Sequence, residues 1–243
     1  MEKQGLMQIT YCSSYGEMSY VAAALVREAL KEKPNLLLCT ATGSSPEGLY
    51  KELTSTAEAR KELFSQMRIL KLDEWGGISA YHPVTCEYFL RKKLLNPLEI
   101  PAERYISFES DPDDPVGECS RIRSKLKTEG PIDICILGLG ANGHLALNEP
   151  AAKLEPFCHV ATLTKESLQH PMIASLKQKP KYGLTLGMKE ILDSRKIIML
   201  VSGKEKKKIA EQFLEGKVTT VLPASFLWQH PQVECLVEQA ILD

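Results

Sequence analysis

Residues 132–137 read IDICIL, an almost uninterrupted apolar run, and residues 197–201 read IIMLV. Strands that are apolar at successive positions are buried on both faces, as in a parallel sheet that lies between two layers of helices. Amphipathic stretches, such as residues 18–31 and 204–214, alternate with these runs along the chain. We therefore predict a three-layer α/β/α fold, modified Rossmann-like, with a mostly parallel central sheet and with residues 1–243 in a single domain.

The remaining pattern predicts shorter strands at residues 36–39, 69–72 and 233–237 and helices at 84–95 and 117–127. In open parallel sheets, ligands bind beyond the carboxyl ends of the strands. Four loops, at residues 40–45, 73–77, 138–150 and 202–206, follow predicted strands. We expect these loops to line one crevice.

Composition excludes several classes of function. Thirty basic and 31 acidic residues leave a net charge of −1, so no broad electrostatic field favours nucleic acid or an anionic membrane. The seven cysteines form no C-x-x-C pair, which indicates buried free thiols rather than disulfides or a zinc site. No stretch approaches the ~20 apolar residues of a membrane span. We expect a cytoplasmic protein that binds a small anion at a local site; a homo-oligomer is left open.

The first loop, residues 41–46 (ATGSSP), has the composition of an anion-binding turn at the start of a helix. Gly43 permits close backbone approach, and the hydroxyls of Thr42, Ser44 and Ser45 can donate hydrogen bonds. The loop lacks the Gly-Lys-Ser/Thr ending of a nucleotide P-loop, so it does not indicate a triphosphate. An N-capping turn without a ligand is the alternative.

The fourth loop leads into a helix whose first turns carry Lys204, Lys206, Lys207 and Lys208. Cations at a helix N-terminus oppose the macrodipole by roughly 0.3–1 kcal/mol each. A bound anion would remove this penalty, and Lys206 is the lysine we expect to contact it. A solvated lysine face, the alternative, suits Lys207 and Lys208.

Residues 138–143 (GLGANG) formally match a dinucleotide-binding fingerprint, but Pro150 interrupts the helix that should follow. The loop instead carries His144 and Glu149, a pair suited to shuttling a proton. Asp73 and Glu74 follow a buried strand, and a carboxylate there is a candidate general base. Two plainer interpretations stay open: His144 is structural, or one of the two acids merely caps the next helix.

Together these loops resemble the glucosamine-6-phosphate deaminase/isomerase family. Three stretches carry the resemblance in order: residues 41–46 (ATGSSP), 72–75 (LDEW) and 138–150 (GLGANGHLALNEP). Residues 71–75 (KLDEW), 85–87 (TCE), 169–170 (QH) and 223–228 (PASFLW) resemble the galactosamine-6-phosphate isomerase branch.

The resemblance implies a role for each matching residue. Asp73 would move the proton between C2 and C1, His144 would help to open the sugar ring, and Glu149 would orient and charge that histidine. The loop of Thr42, Gly43, Ser44 and Ser45 would hold the phosphate together with Lys206, and Gly140 is a candidate substrate contact. The implied reaction requires neither a metal nor a redox cofactor.

Two positions depart from the family pattern. Asn142 stands where glucosamine-6-phosphate deaminases carry an aspartate, and we expect its amide to hold the imidazole of His144 by a hydrogen bond. Residues 165–175 contain no arginine where those enzymes have a phosphate-binding one, which makes Lys165 and His170 candidate replacements.

The implied reaction converts galactosamine 6-phosphate to tagatose 6-phosphate and ammonia. The alternatives are a glucosamine-6-phosphate deaminase, a 6-phosphogluconolactonase and a non-catalytic sugar-phosphate sensor. Residues 148–150 (NEP) and Trp75 disfavour the lactonase, and the retained Asp73, His144 and Glu149 disfavour the sensor.

Overall fold

The computed structural model describes residues 7–242, which contain a seven-stranded sheet and a separate three-stranded sheet. The ten strands are β1 (Gln8–Cys12), β2 (Leu37–Thr40), β3 (Arg68–Lys71), β4 (Asp73–Gly76), β5 (Tyr105–Ile106), β6 (Ile134–Gly138), β7 (His159–Ala161), β8 (Tyr182–Thr185), β9 (Lys196–Val201) and β10 (Val233–Glu238). The large sheet has the order β1-β10-β9-β6-β2-β3-β5, and all its pairings are parallel. The small sheet, β4-β8-β7, is antiparallel.

Six α-helices flank the large sheet: α1 (Tyr15–Glu32), α2 (Ser44–Ala59), α3 (Cys86–Leu90), α4 (Pro115–Glu129), α5 (Met188–Leu192) and α6 (Lys207–Leu214). A π-helical turn, Arg91–Leu95, continues α3. Short 3-10 turns span Lys61–Phe64, Ala102–Arg104, Ser167–Gln169, Lys204–Lys206, Pro223–Gln229 and Gln239–Ile241. Side-chain caps begin α1, α3 and α4, where Ser14, Thr85 and Asp114 each accept a hydrogen bond from a backbone N–H of the first turn.

The core is divided by the large sheet into two layers. Alternate residues of β9 enter opposite layers: Met199 packs in the cluster that contains α4–α6, and Leu200 packs in the cluster that contains α1–α3. This two-residue period explains why the strands read as continuous apolar runs, since both faces are covered by helices. The predicted α/β/α class and the mostly parallel sheet are confirmed.

Several local predictions were wrong. Residues 73–77 are not a loop, because Asp73–Gly76 forms β4 and pairs with β8. The predicted helix at 84–95 is a short α-helix followed by a π-helical turn, and α6 begins only after a 3-10 turn. The small sheet was missed altogether, since its strands are three or four residues long and their pairings join distant parts of the chain.

Candidate active site

The loop between β2 and α2 forms a small cradle. Gly43 has a φ of +98° and precedes α2 without any side-chain cap, so the first backbone N–H groups of the helix have no partner within it. Ser44 is exposed and Thr42 is partly exposed. Ser45 is buried, and its hydroxyl accepts a hydrogen bond from Ser202 at 3.1 Å. An anion at this turn would therefore meet backbone N–H groups and the exposed Ser44 hydroxyl, while the Thr42 hydroxyl already donates to Cys86 Sγ at 3.2 Å and Ser45 is buried.

Two nitrogen-bearing side chains flank this cradle. A Cβ atom added to Gly43 would lie 3.6 Å from Nε2 of His170, so the imidazole covers the loop. Nδ1 of His170 accepts a hydrogen bond from the backbone N–H of Met172 at 3.3 Å, which leaves Nε2 as the donor of the neutral ring. Burial, followed by repulsion from His144 and Lys206, lowers the pKa of His170 to about 4.

Lys206 lies in the 3-10 turn before α6 and is partly buried. Burial lowers the pKa of its ammonium, which the neighbouring Glu205 only partly offsets. Lys206 forms no ion pair with any residue between 7 and 242. A partly buried cation without a carboxylate partner suits the binding of an anionic ligand, because the ligand would supply the missing charge.

Asp73 begins β4 and is partly exposed. Burial, reinforced by the charge of Glu74, raises the pKa of its carboxyl to about 7, against the opposing effects of Lys71 and a hydrogen bond from Cys86. The Cys86 thiol lies 3.8 Å from Asp73 Oδ1. A carboxylate with a pKa close to neutrality is suited to general base catalysis.

Glu74 has a structural position, unlike its neighbour. Its carboxylate accepts hydrogen bonds from the backbone N–H groups of Trp75, Cys86 and Glu87 at 2.8–2.9 Å. It also forms a buried ion pair with Lys71. Glu74 thus fills the capping role that the sequence left open between the two acids. The side chains of residues 73 and 74 point to opposite faces of β4, which explains their separate environments.

His144 and Glu149 lie in one loop after β6. Nδ1 of His144 is 3.5 Å from Glu149 Oε2, close enough for an ion pair. The other carboxylate oxygen, Oε1, accepts a hydrogen bond from the Ser167 hydroxyl. Although burial raises the pKa of Glu149, the contacts with His144, Ser167 and Asn142 together lower it to about 2. Glu149 is therefore ionised and faces the imidazole.

Asn142 does not hold the imidazole as expected from the sequence. Its Nδ2 donates to Glu149 Oε2 at 2.9 Å, and its Oδ1 accepts the backbone N–H of His144 at 3.2 Å. The amide therefore fixes the carboxylate and the loop, and acts on the ring only through Glu149.

Gly140 is required by the position of this histidine. A Cβ atom at residue 140 would lie 2.3 Å from Cδ2 of His144, far inside van der Waals contact. The backbone N–H of Gly140 donates to the carbonyl of His144 at 3.1 Å, which closes the turn. The glycine therefore leaves room for the imidazole, whatever its contact with a substrate.

Thr185 connects the histidine loop to the strand of Asp73. Asp73 pairs with Thr185 between β4 and β8, and the Thr185 hydroxyl accepts the backbone N–H of Leu147 at 3.2 Å. The buried Nε1 of Trp75 has no hydrogen-bond partner within residues 7–242, whereas the buried Nδ1 of His144 faces Glu149 Oε2 at 3.5 Å. A buried donor without a partner suits a polar ligand.

Sequence reasoning missed two contacts. Ser167, on the 3-10 turn Ser167–Gln169, binds Glu149, and Cys86 contacts both Asp73 and Thr42. Residues 85–87 (TCE) were noted in the sequence, but the sequence indicated only that the Cys86 thiol is buried. Lys165 is exposed.

Other features of the described chain bear on its chemistry. A groove of about 660 Å³ opens beside the cradle and is lined by residues that include Ser44 and Gly203, but not by Asp73, His144 or Glu149. All seven cysteines are buried free thiols. Between residues 7 and 242, no group of three His, Cys, Asp or Glu side chains is arranged to hold a metal ion, and no helix combines the length and apolarity of a membrane span.

The chain resembles known proteins over nearly its whole length. Residues 16–237 match the family described as glucosamine-6-phosphate isomerases/6-phosphogluconolactonase. A protein of Escherichia coli (strain K12) named as a deaminase, AgaI, is 37% identical over 96% of this chain and 92% of its own length. The glucosamine-6-phosphate deaminase of Thermoanaerobacter pseudethanolicus is 34% identical, over 96% of this chain and 93% of its own.

A solved structure agrees with these sequence matches. The structure of a protein described as a monomeric glucosamine-6-phosphate deaminase superposes with a TM-score of 0.91 at 32% identity, covering 97% of this chain and 98% of that one. Family, relatives and fold thus coincide along one continuous chain. The protein belongs to the glucosamine-6-phosphate isomerase/6-phosphogluconolactonase family.

Proposed function

We propose that this protein deaminates an amino-sugar 6-phosphate, and that its substrate is galactosamine 6-phosphate, giving tagatose 6-phosphate and ammonia. The observation that carries the proposal is the pairing of two proton-transfer groups on connected elements. Asp73, a carboxyl with a pKa of about 7, lies on the strand that Thr185 links to the loop of His144 and Glu149. Isomerisation of an aldose needs both a base at carbon and a proton shuttle at oxygen.

The first step is opening of the sugar ring. His144 receives the proton of the anomeric hydroxyl and delivers one to the ring oxygen, so the C1–O5 bond breaks and an aldehyde forms. The ionised Glu149 stabilises the imidazolium formed in between, since its carboxylate lies 3.5 Å from Nδ1.

The second step moves hydrogen from C2 to C1. The Asp73 carboxylate removes the C2 proton, the electron pair forms a C1–C2 double bond, and the aldehyde oxygen takes a proton from solvent and becomes the enol hydroxyl. Asp73 then returns the proton to C1 while the nitrogen releases a proton to solvent, which leaves an imine at C2. Water adds to that imine, and cleavage of the C2–N bond releases ammonia and the ketose phosphate.

The phosphate is held at the opposite end of the substrate. In the proposal, the N-terminal amides of α2 and the hydroxyl of Ser44 donate to it, Lys206 supplies the countercharge, and Thr42 shapes the turn while its hydroxyl donates to Cys86. His170 takes the place of the absent arginine, since its Nε2 faces the Gly43 turn. Fixing a remote charged group in this way orients the reacting carbons.

Support for the galacto epimer comes from the residues around Asp73. The KLDEW and TCE stretches resemble the galactosamine-6-phosphate branch; their Cys86 contacts the proposed base, and their Lys71 and Trp75 contact the adjacent Glu74. Relatives named glucosamine-6-phosphate deaminase are 32–35% identical, which makes the gluco epimer the competing substrate.

Ammonia release tests the proposal. It is measured by a coupled assay with galactosamine 6-phosphate and, separately, with glucosamine 6-phosphate; hydrolysis of 6-phosphogluconolactone serves as the control reaction. We expect the larger kcat/KM for the galacto epimer and no acceleration of lactone hydrolysis. No ammonia from either sugar would refute deamination, and a preference for the gluco epimer would refute the substrate assignment alone.

A further inference from the structure

Cys86 lies between the two ends of the proposed substrate site. Its Sγ atom accepts a hydrogen bond from Oγ1 of Thr42 at 3.2 Å and lies 3.8 Å from Oδ1 of Asp73, to which the thiol can donate. The residue is 2% exposed. One sulfur thus contacts both the phosphate cradle and the carboxyl of the proposed base.

The thiol is held in place by a rigid charged network. Cys86 is the first residue of α3, and its backbone N–H donates to Glu74 Oε1 at 2.8 Å. Glu74 is itself paired with the buried ammonium of Lys71 at 2.8 Å. Since Glu74 and Asp73 are adjacent in β4, this pairing fixes the start of α3 against the strand that carries the base.

We infer that Cys86 is a positioning residue that orients the Asp73 carboxylate and connects it to the phosphate cradle through Thr42. The inference rests on the proposed function, since it assigns Asp73 the role of base. A thiol that donates to the carboxylate favours its ionised form and restricts rotation of the side chain. A phosphate that engages the Thr42 turn would act on the base through this same sulfur.

The groups that face Asp73 define what the variants change. Besides Cys86, its neighbours are Lys71 on β3, Glu74 on β4, Cys39 on β2 and Tyr50 on α2. Within residues 7–242, Cys86 is the neighbour that donates a side-chain hydrogen bond to this carboxyl. Burial and the charge of Glu74 raise the pKa of Asp73, and Lys71 and the Cys86 hydrogen bond lower it. Removal of the Cys86 thiol should therefore raise the pKa of Asp73.

The competing explanation is that Cys86 only fills space, as the other buried thiols do. Cys235 on β10 provides the matched control because it is equally buried and free, in a strand of the large sheet that carries no proposed catalytic residue. A space-filling role predicts that alanine at either position lowers the midpoint of thermal unfolding without changing the pH dependence of catalysis.

The experiment compares the wild type with Cys86→Ala, Cys86→Ser and Cys235→Ala, and measures kcat and KM for ammonia release across about pH 5–9. For Cys86→Ala we expect kcat to fall about tenfold with little change in KM, and the acidic limb of kcat/KM to move to higher pH. Cys86→Ser keeps a hydrogen-bond donor and should restore most of the wild-type kcat and most of the wild-type acidic limb. Cys235→Ala should match the wild type in kcat and in pH profile.

A wild-type kcat and acidic limb in Cys86→Ala would overturn the inference. If that variant does not fold, Cys86→Val fills the space without a donor and is judged by the same two readouts. A wild type that releases no ammonia would instead refute the proposed function, which keeps the two failures distinct.

Discussion

The ammonium of Lys71 lies 2.8 Å from the carboxylate of Glu74, and both side chains are wholly inaccessible to solvent. Glu87 adds a second carboxylate at 2.9 Å, and the hydroxyl of Tyr105 donates to the same oxygen at 2.8 Å. Placing these charges away from water is unfavourable unless each has a partner. Here the ammonium is matched by two acids, and backbone N–H groups satisfy much of Glu74.

Lys71→Met is therefore expected to destabilise the protein, because Glu74 loses its cation while it stays buried. The free energy of unfolding should fall by about 3–5 kcal/mol, measured by urea denaturation at neutral pH. Lys31→Met, which removes an exposed ion pair with Glu28, is the control and should change it by less than about 1 kcal/mol. Equal effects of the two changes would contradict the importance of burial.

Asp73→Asn should abolish ammonia release while substrate still binds, because the amide cannot accept the C2 proton. In the wild type, kcat/KM should decrease as the pH falls through about 7, where the Asp73 carboxyl becomes protonated. A profile that stays flat from about pH 8 to 5, or near-normal turnover by the variant, would remove Asp73 from its role.

Although Asp73→Asn should abolish activity, it should increase the stability of the folded protein at alkaline pH. Asp73 has a higher pKa in the folded protein than in the unfolded chain, so its contribution is most favourable below about pH 4 and is lost as the pH rises through about 7. The substituted side chain in Asp73→Asn carries no charge at any pH, so the variant does not lose stability in this way as the pH rises. Asp73→Asn should thus be stabilised relative to wild type at about pH 8, by at most about 4 kcal/mol, and much less near pH 4. Urea denaturation at both pH values measures the difference in free energy of unfolding between the variant and the wild type. A difference that does not change with pH would contradict the prediction.

Glu149→Gln should lower kcat by about 10²–10⁴-fold with a smaller effect on KM, because a neutral amide does not stabilise the imidazolium of His144. Ser167→Ala, which removes one hydrogen bond to Glu149 but keeps its charge, is the graded control and should cost about tenfold or less. Steady-state kinetics with the preferred amino sugar separate the two. Equal losses would show that the charge of residue 149 is unimportant.

Lys206→Ala should weaken substrate binding mainly through the phosphate. We expect KM to rise by about 10–100-fold and the affinity for inorganic phosphate, measured by calorimetry, to fall in parallel. His170→Ala should have a similar but smaller effect. Lys208→Ala, an exposed change on the same segment, is the matched control and should leave both values near wild type. Unchanged phosphate affinity in Lys206→Ala would place the phosphate elsewhere.

Much of the large sheet was predictable from sequence. Residues 134–137 and 197–201 are apolar at every position, and such runs have few alternatives to a strand that is buried on both faces. Motif position likewise predicted the Gly43 turn, and the structure shows a positive φ there that suits glycine. Gly140 and His144 were recognisable as well, because both lie within one short motif, residues 138–150.

The environment of each group depended on tertiary structure. Asp73 and Glu74 are adjacent in sequence, yet β4 directs one to a partly exposed face and the other against Lys71. Asn142 was expected to hold the imidazole, but its amide reaches Glu149 instead, since the loop closes on itself.

The sequence by itself determined the layered α/β architecture, the family and the chemical groups available, because apolar periodicity and local motifs are properties of neighbouring residues. Only the tertiary structure decided which acid has a pKa near 7, which thiol lies beside it, and which cation lacks a partner. Those properties depend on desolvation and on charges from distant segments: Cys86, Thr42 and Asp73 meet across three separate elements of the chain.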